Sequence, residues 1–286
     1  MKPPYPCPTA TWHNDTYPAI DPTKPEHSQK GKTVIITGAG SGIGRETAVA
    51  FGTAGAKHIV LIGRTESTLK ETKALIKDAQ VSIHALSIRD EEGINKVAET
   101  IGAWDVLILN AAHMAPPATL VKASLKEHWR DYETNVKGVL IAIQAFVPKA
   151  NAGAALYGIN AGALVSPAKH TPYLSGYVGS KIAQAKVLEF LADEHPELFV
   201  VSVHPGMIDT KIFRTSVHST EHLPMDTTKL PAHFLVWLTH PRNKFLQGKF
   251  VWANWDVAEL TSKAKEIERT EIMTIGYEGW PFGSPS

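Results

Sequence analysis

The sequence predicts an α/β fold, a single domain built on a doubly wound parallel sheet of about seven strands. Short apolar runs recur along the chain, and most are nearly continuous, as in strands that are buried on both faces. Stretches with helical patterning separate these runs. A repeated strand–helix order is typical of a parallel sheet that helices cover on both faces.

Seven segments have the pattern of strands. They are residues 32–37, 58–63, 81–87, 105–110, 153–160, 198–204 and 249–254. Helical patterns lie between or after them, and the clearest cover residues 44–56, 66–79, 124–147, 175–192, 227–240 and 256–270. The alternation therefore predicts strands that each pass through a helix before the chain returns to the sheet.

The chain divides into three predicted parts. Residues 1–30 are rich in proline and show no period, which predicts an extended N-terminal arm that lies over the surface. Residues 31–260 contain the alternating strands and helices and form the predicted domain. Residues 261–286 are predicted to form a C-terminal helix and tail.

Composition excludes several classes of function. The 286 residues are 43% hydrophobic, enough for one large core, and the formal charge of +1 predicts no nucleic-acid partner. The apolar runs are shorter than the roughly 18 residues that span a bilayer, so no membrane association is expected. Cys7 is the single cysteine, which rules out an internal disulfide. Because the N-terminus also lacks an apolar signal core, we expect a cytoplasmic protein.

The first strand runs directly into the segment TGAGSGIGR, residues 37–45. Gly38, Gly42 and Gly44 occur where a strand turns sharply into a helix, and Ser41 and Ile43 lie between them. Glycines let the backbone approach a pyrophosphate, and the helix N-terminus supplies free N–H groups. This strand–turn–helix context distinguishes the dinucleotide-binding fingerprint of a Rossmann-type fold from an ordinary tight turn.

The pattern Thr-Gly-x-x-x-Gly-x-Gly resembles the short-chain dehydrogenase/reductase family, and the resemblance extends over about residues 31–256. WHNDTYPAI near the start and GKFVWANWDVAEL near the end resemble a fungal branch of that family. The resemblance implies an oxidoreductase that uses a nicotinamide cofactor on a small molecule, here a compound of secondary metabolism. It also implies a homodimer or homotetramer, although the two long apolar helices that would form the contact would be equally apolar if they only faced the sheet.

The second predicted strand ends in Gly63-Arg64-Thr65. An acidic residue at this position would bind both ribose hydroxyls and repel a 2′-phosphate, whereas a guanidinium can pair with that phosphate. We therefore expect NADP(H) as the cofactor. Alternatively, Arg64 is a solvated charge that stacks on the adenine, and this interpretation leaves NAD(H) open.

The resemblance implies further cofactor contacts after the later strands. Ser87 stands where the family has an aspartate beside the adenine, and LNAA at residues 109–112 keeps part of the family's Asn-Asn-Ala-Gly motif. HPGMIDT matches the Pro-Gly-x-x-x-Thr motif that borders the nicotinamide. Beyond the glycine turn and Arg64, the predicted cofactor contacts are Ser87, Ile88, Asn110, Ala111, Tyr177, Lys181, Pro205, Gly206 and Thr210.

Tyr177 and Lys181 are four residues apart in a predicted helix and so share one face. Reduction of a ketone needs a proton donor, and a phenol has a pKa near 10. A neighbouring ammonium should lower that pKa and make the tyrosine a usable acid or base. By the resemblance, Tyr177 is the acid/base, Lys181 its tuner and a ribose anchor, and Asn135 a member of the proton path.

The fifth predicted strand ends in Asn160-Ala161-Gly162, where relatives have a Ser-Ser-Gly-like triplet. Ala161 thus replaces the serine that donates a hydrogen bond to the substrate carbonyl. Two hypotheses remain open. Either the chain is a working carbonyl reductase in which Asn160, a nearby serine (Ser166 or Ser175), water or the substrate supplies the bond, or it keeps the pocket for non-redox work, as an isomerase, a cyclase or a cofactor-binding protein. Ser175 also has the position of a helix cap.

In the family, residues 211–232 correspond to a lid that folds over the substrate. This segment contains Phe213, Leu223 and Met225, which favours a partly apolar pocket. His218 and His222 have a chelating spacing but no acidic or cysteine partner in the pattern, so we predict no metal site. His113 either faces the active site or is an ordinary loop residue.

Overall fold

Seven parallel strands form one sheet in the order β3-β2-β1-β4-β5-β6-β7. The structure is a computed structural model that describes residues 2–4, 6–216 and 219–276. The strands are β1 Thr33–Thr37, β2 His58–Gly63, β3 Gln80–Ala85, β4 Trp104–Leu109, β5 Ala150–Ile159, β6 Phe199–His204 and β7 Phe250–Trp252. The predicted single-domain parallel sheet is confirmed.

The apolar runs form strands because the sheet is covered on both sides. Val34, Ile35 and Ile36 of β1 are completely buried although their side chains alternate between the two faces. β3 lies at one edge of the sheet, and its side chains are partly buried or exposed. The predicted ends are accurate to within three residues, and the largest shift is at β5, which starts at Ala150 and not at residue 153.

Helices connect successive strands and form the two outer layers. Their bounds are α1 Gly42–Thr53, α2 Glu66–Leu75, α3 Glu91–Ile101, α4 Leu125–Tyr132, α5 Gly138–Phe146, α6 Ser175–Glu194, α7 Phe213–Ser216, α8 Lys229–Leu238, α9 Val257–Ser262 and α10 Ala264–Arg269. Phe51 of α1 and Trp237 of α8 belong to the core on one face of the sheet, and Ile94 of α3 and Phe146 of α5 to the core on the other. None of the helices in the described ranges is long and apolar enough to cross a membrane.

Two predicted helices are interrupted. The stretch 124–147 forms α4 and α5 with a π-helical turn at Glu133–Lys137 between them. Such turns are rare and occur mostly at functional sites, and this one carries Asn135. The stretch 256–270 breaks at Lys263, which separates α9 from α10.

The N-terminal arm is more deeply packed than expected. Trp12 and Ile20 are buried in the main core, and Trp12 forms an isolated bridge with Trp255. The Lys263 Nζ atom donates a hydrogen bond to the carbonyl of Pro8. The expectation of an arm lying over the surface is therefore wrong for these residues, because the aromatic and aliphatic side chains among its prolines bury apolar area.

Candidate active site

A cavity of about 1060 Å³ lies at the carboxyl ends of the strands. Residues at or just after the end of every strand contribute to its wall. The strand order reverses between β1 and β4, and an open α/β sheet binds its ligands in the crevice at such a switch point. Of the predicted cofactor residues, all but Gly44 line this cavity.

The glycine turn leaves no room for side chains. Gly38 and Gly42 have φ angles of +68° and +52°, in the left-handed region that favours glycine. A Cβ atom on Gly38 would lie 2.8 Å from the Asn110 amide nitrogen, and one on Gly44 would lie 2.4 Å from the Gly38 carbonyl oxygen. Gly44 thus allows the turn to close without lining the cavity. Ser41 precedes α1, and its side chain makes no capping bond to the helix.

Asn110 and Thr37 hold the turn against the neighbouring strand. The Asn110 side-chain amide donates to the carbonyls of Thr37 and Gly38, at 2.9 and 3.2 Å. The Thr37 hydroxyl accepts from the backbone N–H groups of Asn110 and Ala111, each at 3.0 Å. Asn110 therefore supports the cofactor cradle from behind, a role that the motif alone did not reveal.

The end of β2 carries Arg64, a cation that forms no ion pair with any of the described residues. Arg64 is exposed at the cavity wall, and no carboxylate in the described ranges pairs with it. Two other arginines are already engaged: Arg45 by the Gly40 carbonyl and Glu71, and Arg89 by Glu133, each at 2.7 Å. Ser87 also lines the cavity, where its hydroxyl accepts a bond from the Arg89 N–H at 3.2 Å and remains able to donate one.

Tyr177 and Lys181 both face the cavity from α6. The Lys181 Nζ atom is buried and donates to the Ile159 carbonyl and to the Gln184 side chain, each at 2.8 Å. It lies 5.9 Å from the centre of the Tyr177 ring. Burial lowers the pKa of Lys181 to about 7, and the negative charge of Asp131 opposes this effect. No described residue forms a hydrogen bond with the Tyr177 hydroxyl, which leaves this group available to a ligand.

The pKa of Tyr177 shifts in the direction opposite to the expectation. Burial raises it, and the charge of Asp131 raises it further. Lys181 contributes no lowering to this shift. Its Nζ atom donates to Ile159 and Gln184, and burial lowers its own pKa to about 7. In this state Tyr177 is a protonated phenol, the form that a proton donor needs.

Asn135 lies behind Tyr177 and is completely buried. Its side-chain amide donates to the His113 carbonyl at 2.8 Å and to the Ser180 hydroxyl at 2.9 Å. Its oxygen accepts from the His113 N–H, also at 2.8 Å. The Ser180 hydroxyl in turn donates to the Tyr177 carbonyl at 2.7 Å. Asn135 thus links the loop after β4 to the helix that carries Tyr177.

His113, whose role the sequence left open, lines the cavity. Its Nδ1 atom lies 2.7 Å from the Oδ1 atom of Asp131, which also accepts from the Ala115 N–H at 2.9 Å. Asp131 is completely buried, and burial raises its pKa while the bond to His113 opposes the rise. Sequence reasoning missed Asp131. The only indication in the sequence was its spacing, since Asp131 precedes Asn135 by four residues and so lies on the same side of the helical segment.

The end of β5 carries no hydroxyl at Ala161. The side chains that could donate a hydrogen bond in its place differ in their access to the cavity. The Asn160 oxygen accepts from the Ala161 N–H at 2.9 Å, and its amide nitrogen is sealed from the cavity without a partner. Ser166 lines the cavity. Ser175 lines a smaller neighbouring cavity of about 130 Å³ and is the first residue of α6, with Leu174 at the capping position, so its predicted role as a cap is wrong.

Gly206 and Thr210 follow β6 as expected from the Pro-Gly motif. Gly206 has a φ angle of +96°, and a Cβ atom there would lie 2.5 Å from the Asp226 carboxylate. That carboxylate accepts from the Met207 N–H at 2.6 Å. The Thr210 hydroxyl accepts from the Phe213 N–H at 3.2 Å. Backbone N–H groups that bond to the Asp226 and Thr210 side chains therefore fix the turn after β6. Thr210 also faces the glycine turn, since its Cγ2 atom would lie 3.1 Å from a Cβ atom on Gly42.

The predicted lid is shorter than residues 211–232. Phe213 and its neighbours in residues 211–216 line the cavity, whereas Leu223 and Met225 do not. Residues 229–232 belong to the first turn of α8, which packs in the core. His218 lies outside the described residues. Among those described, no group of three or more potential metal ligands occurs.

Aromatic side chains form the wall opposite the lid. Trp252 and Trp255 are buried and stacked, with ring centres 6.1 Å apart, and both line the cavity. The sequence favoured packing for these residues, and the structure adds that both also line the cavity. The N-terminal arm completes the rim with Pro6, Cys7 and Pro8. A ligand in this part of the cavity would meet mostly apolar surface.

The fold, the glycine turn and the Tyr177–Lys181 pair have the arrangement of a family of nicotinamide-dependent oxidoreductases. The family model described as short chain dehydrogenase matches residues 32–221. This chain belongs to the short-chain dehydrogenase family.

Curated relatives from fungi are similar over nearly the whole chain. The short chain dehydrogenase mpl6 of Monascus purpureus is 33% identical over 93% of this chain and 96% of its own length. The short chain dehydrogenase/reductase AacuD of Aspergillus aculeatus is 34% identical over 94% and 96%. These similarities agree with the fungal branch that the terminal segments indicated.

Solved structures share the fold at lower identity. The L-sorbose reductase of Gluconobacter frateurii, complexed with NADPH and L-sorbose, is 24% identical, with a TM-score of 0.71 over 79% of this chain and 96% of that one. A 3-ketoacyl-(acyl-carrier-protein) reductase of Brucella melitensis, complexed with NADH, is 22% identical, with a TM-score of 0.70 over 79% and 97%. The neighbours thus include both nicotinamide cofactors.

Proposed function

We propose that this chain is an NADP(H)-dependent carbonyl reductase, which in the reverse direction oxidises the corresponding alcohol. The observation that carries the proposal is the free Tyr177 hydroxyl in the same cavity as the glycine turn. A proton donor and a dinucleotide cradle are thereby brought together at one end of the sheet. The substrate would be a small, mostly apolar molecule, since aromatic rings form much of the remaining wall.

The residues present suit a dinucleotide. The turn at Gly38, Gly42 and Gly44 excludes side chains where a pyrophosphate would approach, and α1 begins there with free N–H groups. The 1060 Å³ cavity is large enough for a cofactor and a substrate together. Arg64 favours a cofactor with a 2′-phosphate because none of the carboxylates in the described ranges pairs with its guanidinium.

When bound, a reduced nicotinamide supplies the hydride that a carbonyl carbon accepts. Tyr177 would donate its phenolic proton to the oxygen, which leaves an alcohol and a phenolate. Lys181 lies close enough to stabilise that phenolate if its ammonium is released from Ile159 and Gln184. Asn135 would hold α6 at the correct distance through Ser180.

The test is the oxidation of NADPH by the purified protein in the presence of benzil, isatin, ethyl benzoylformate and cyclohexanone. We expect turnover with at least one aromatic carbonyl, and weaker activity with NADH. Binding of NADPH without turnover of any of these compounds, even in the Ala161→Ser variant, would instead support the non-redox alternative. Failure to bind either nucleotide would contradict both.

We further propose that the protein is a cytoplasmic homo-oligomer. Exposed apolar side chains on the two predicted contact helices support this proposal, namely Leu140 on α5 and Ile182 and Phe190 on α6. Light scattering should then give a mass of two or four chains, and Phe190→Glu should shift it towards one. A monomeric wild-type protein would contradict this proposal and leave the proposed chemistry unaffected.

A further inference from the structure

We propose that His204 donates a hydrogen bond from its Nε2–H group to the substrate carbonyl oxygen and so replaces the hydroxyl that Ala161 lacks. This inference rests on the proposed reductase activity. In relatives the residue that donates this hydrogen bond follows β5, whereas here it would come from β6. In the sequence, His204 stands at the end of a predicted strand, and no motif assigns it a function.

His204 lies beside the altered triplet. Strands β5 and β6 pair in register with Ile159 opposite Val203, and the Asn160 N–H donates to the Val203 carbonyl at 2.8 Å. The next residue of β6 is His204. A Cβ atom on Gly162 would lie 2.9 Å from the His204 Nε2 atom, so the imidazole occupies the space beside Gly162, the residue that follows Ala161.

The backbone fixes which nitrogen carries the proton. The Gly162 N–H donates to the His204 Nδ1 atom at 2.9 Å. A neutral imidazole has one donor and one acceptor nitrogen, so the proton resides on Nε2. Burial lowers the pKa of His204 to about 3, and no charged group contributes to the shift. The ring is therefore neutral at ordinary pH, and a neutral imidazole can polarise a carbonyl as a hydrogen-bond donor.

The Nε2–H group is available for a ligand. His204 lines the cavity, and none of the residues that the structure describes accepts a hydrogen bond from Nε2. The ring is held in place by Trp252, whose ring centre lies 4.4 Å away at an angle of 74°. A donor that is already oriented costs little reorganisation when charge develops on the oxygen.

The other candidate donors are less well placed. Asn160 uses its oxygen on the Ala161 N–H, and its nitrogen does not reach the cavity surface. Ser175 lies at the smaller cavity. Ser166 lines the main cavity but comes after the helical turn that follows Ala161, where its backbone N–H bonds to Ala163. Among these side chains, His204 alone combines a donor that no described residue uses, a fixed orientation and a position beside the altered triplet, at Gly162.

Two amide variants test the proposal. In His204→Gln, the side-chain nitrogen can reach the position of Nε2, whereas in His204→Asn an oxygen can still accept from Gly162 but no donor reaches that far. With NADPH and the best carbonyl of the panel above, we expect His204→Asn to lose about 10²–10³-fold in kcat with little change in KM, because the bond strengthens in the transition state. His204→Gln should retain kcat within about tenfold of the wild type.

The controls separate this role from a structural one. The Kd for NADPH and the melting temperature should be alike in the two amide variants, since both keep an acceptor for Gly162. Adding Ala161→Ser to His204→Asn should restore most of kcat, and Ser166→Ala should leave it unchanged. Equal kcat values for His204→Asn and His204→Gln, or a large loss in Ser166→Ala, would overturn the proposal. A wild-type protein inactive on every carbonyl would instead refute the proposed function.

Discussion

The carboxyl ends of β1 and β5 meet the same cavity but are built in different ways. At the end of β1, glycines exclude side chains, and backbone groups make the surface that a cofactor would contact. At the end of β5, the triplet Asn160-Ala161-Gly162 contributes little chemistry of its own, and side chains from β6, β7 and α6 surround it. A site made of backbone can be recognised from one short segment, whereas a site assembled from distant side chains cannot.

The two strand ends should also differ in how well they tolerate amino-acid substitutions. A cradle that depends on the absence of Cβ atoms has almost no acceptable substitutions. A donor that depends on position can move from one strand to the next, as we propose for His204. Substitutions at these two kinds of site should therefore have different effects on binding, stability and catalysis.

The largest effect is expected for Tyr177→Phe. Loss of the general acid should lower kcat by about 10²–10⁴-fold while NADPH binding persists, because the phenol acts on the reacting oxygen and the cradle lies elsewhere. Tyr173→Phe, which removes an exposed hydroxyl four residues earlier, is the matched control and should retain full activity. Similar kcat values for the two variants would show that Tyr177 is not the proton donor.

The glycine turn should be nearly as sensitive, but through binding and stability. Gly38→Ala combines a left-handed φ angle with a Cβ clash against Asn110 and Ala111, which together should cost about 2–5 kcal/mol. Gly55→Ala has a φ angle of +83° with open space around the Cβ position, so it should cost only about 1–2 kcal/mol.

Urea unfolding measures the loss of stability in these variants, and NADPH titration measures the loss of affinity. Gly38→Ala should weaken NADPH binding by more than tenfold, and Gly55→Ala should leave the Kd unchanged. If the two alanines have the same effect on the Kd, the close approach of backbone to cofactor is not what the turn provides.

Arg64→Gln should change cofactor choice without affecting the reaction centre. A hydrogen bond to a charged group contributes about 1.5–3 kcal/mol, so the Kd for NADPH should rise about 10–100-fold while that for NADH stays the same. Lys70→Gln, which removes an exposed lysine paired with Glu66 on α2, serves as the control. An equal loss of affinity for both nucleotides in Arg64→Gln would favour stacking on the adenine.

The last expected effect is on acid stability and leaves activity at neutral pH unchanged. The unfolded chain takes up a proton on His204 below pH 6.5, but the folded chain does so only near pH 3, since burial lowers the pKa of this residue to about 3. The free energy of unfolding should therefore fall as the pH drops through this window, by up to about 1.4 kcal/mol per pH unit from this group. His204→Gln removes the contribution and should show a shallower dependence in urea unfolding. Identical slopes would mean that His204 is not held neutral.

Most of the fold could be predicted from the sequence because it follows from local patterns. Strands such as β1 and β6 are apolar on both faces, and the glycine segment marks where the first strand ends. The π turn at Asn135 could not be predicted, since no propensity distinguishes it from an α-helix. The packed arm was missed for another reason: burial of Trp12 depends on Trp255, far away in the sequence.

Some residues of the candidate site could likewise be predicted from the sequence, and others could not. Tyr177, Lys181 and Asn135 could be predicted as candidates because they match a family motif, and the structure brings Tyr177 and Lys181 to the cavity with Asn135 behind them. Asp131 and His204 were missed because their partners, His113 and Gly162, come from other elements. The raised pKa of Tyr177 was missed for the same reason, as it arises from burial and from Asp131.

The central claim is that a hydride passes to a carbonyl in the cavity where Tyr177 supplies the proton. The most direct measurement uses NADPH that carries deuterium at its transferable position, with mass spectrometry of the alcohol formed from the best carbonyl of the panel. We expect one deuterium on the carbinol carbon with the wild-type protein and a rate at least about 100-fold lower with Tyr177→Phe. An alcohol without deuterium, or equal rates for the two proteins, would contradict the account.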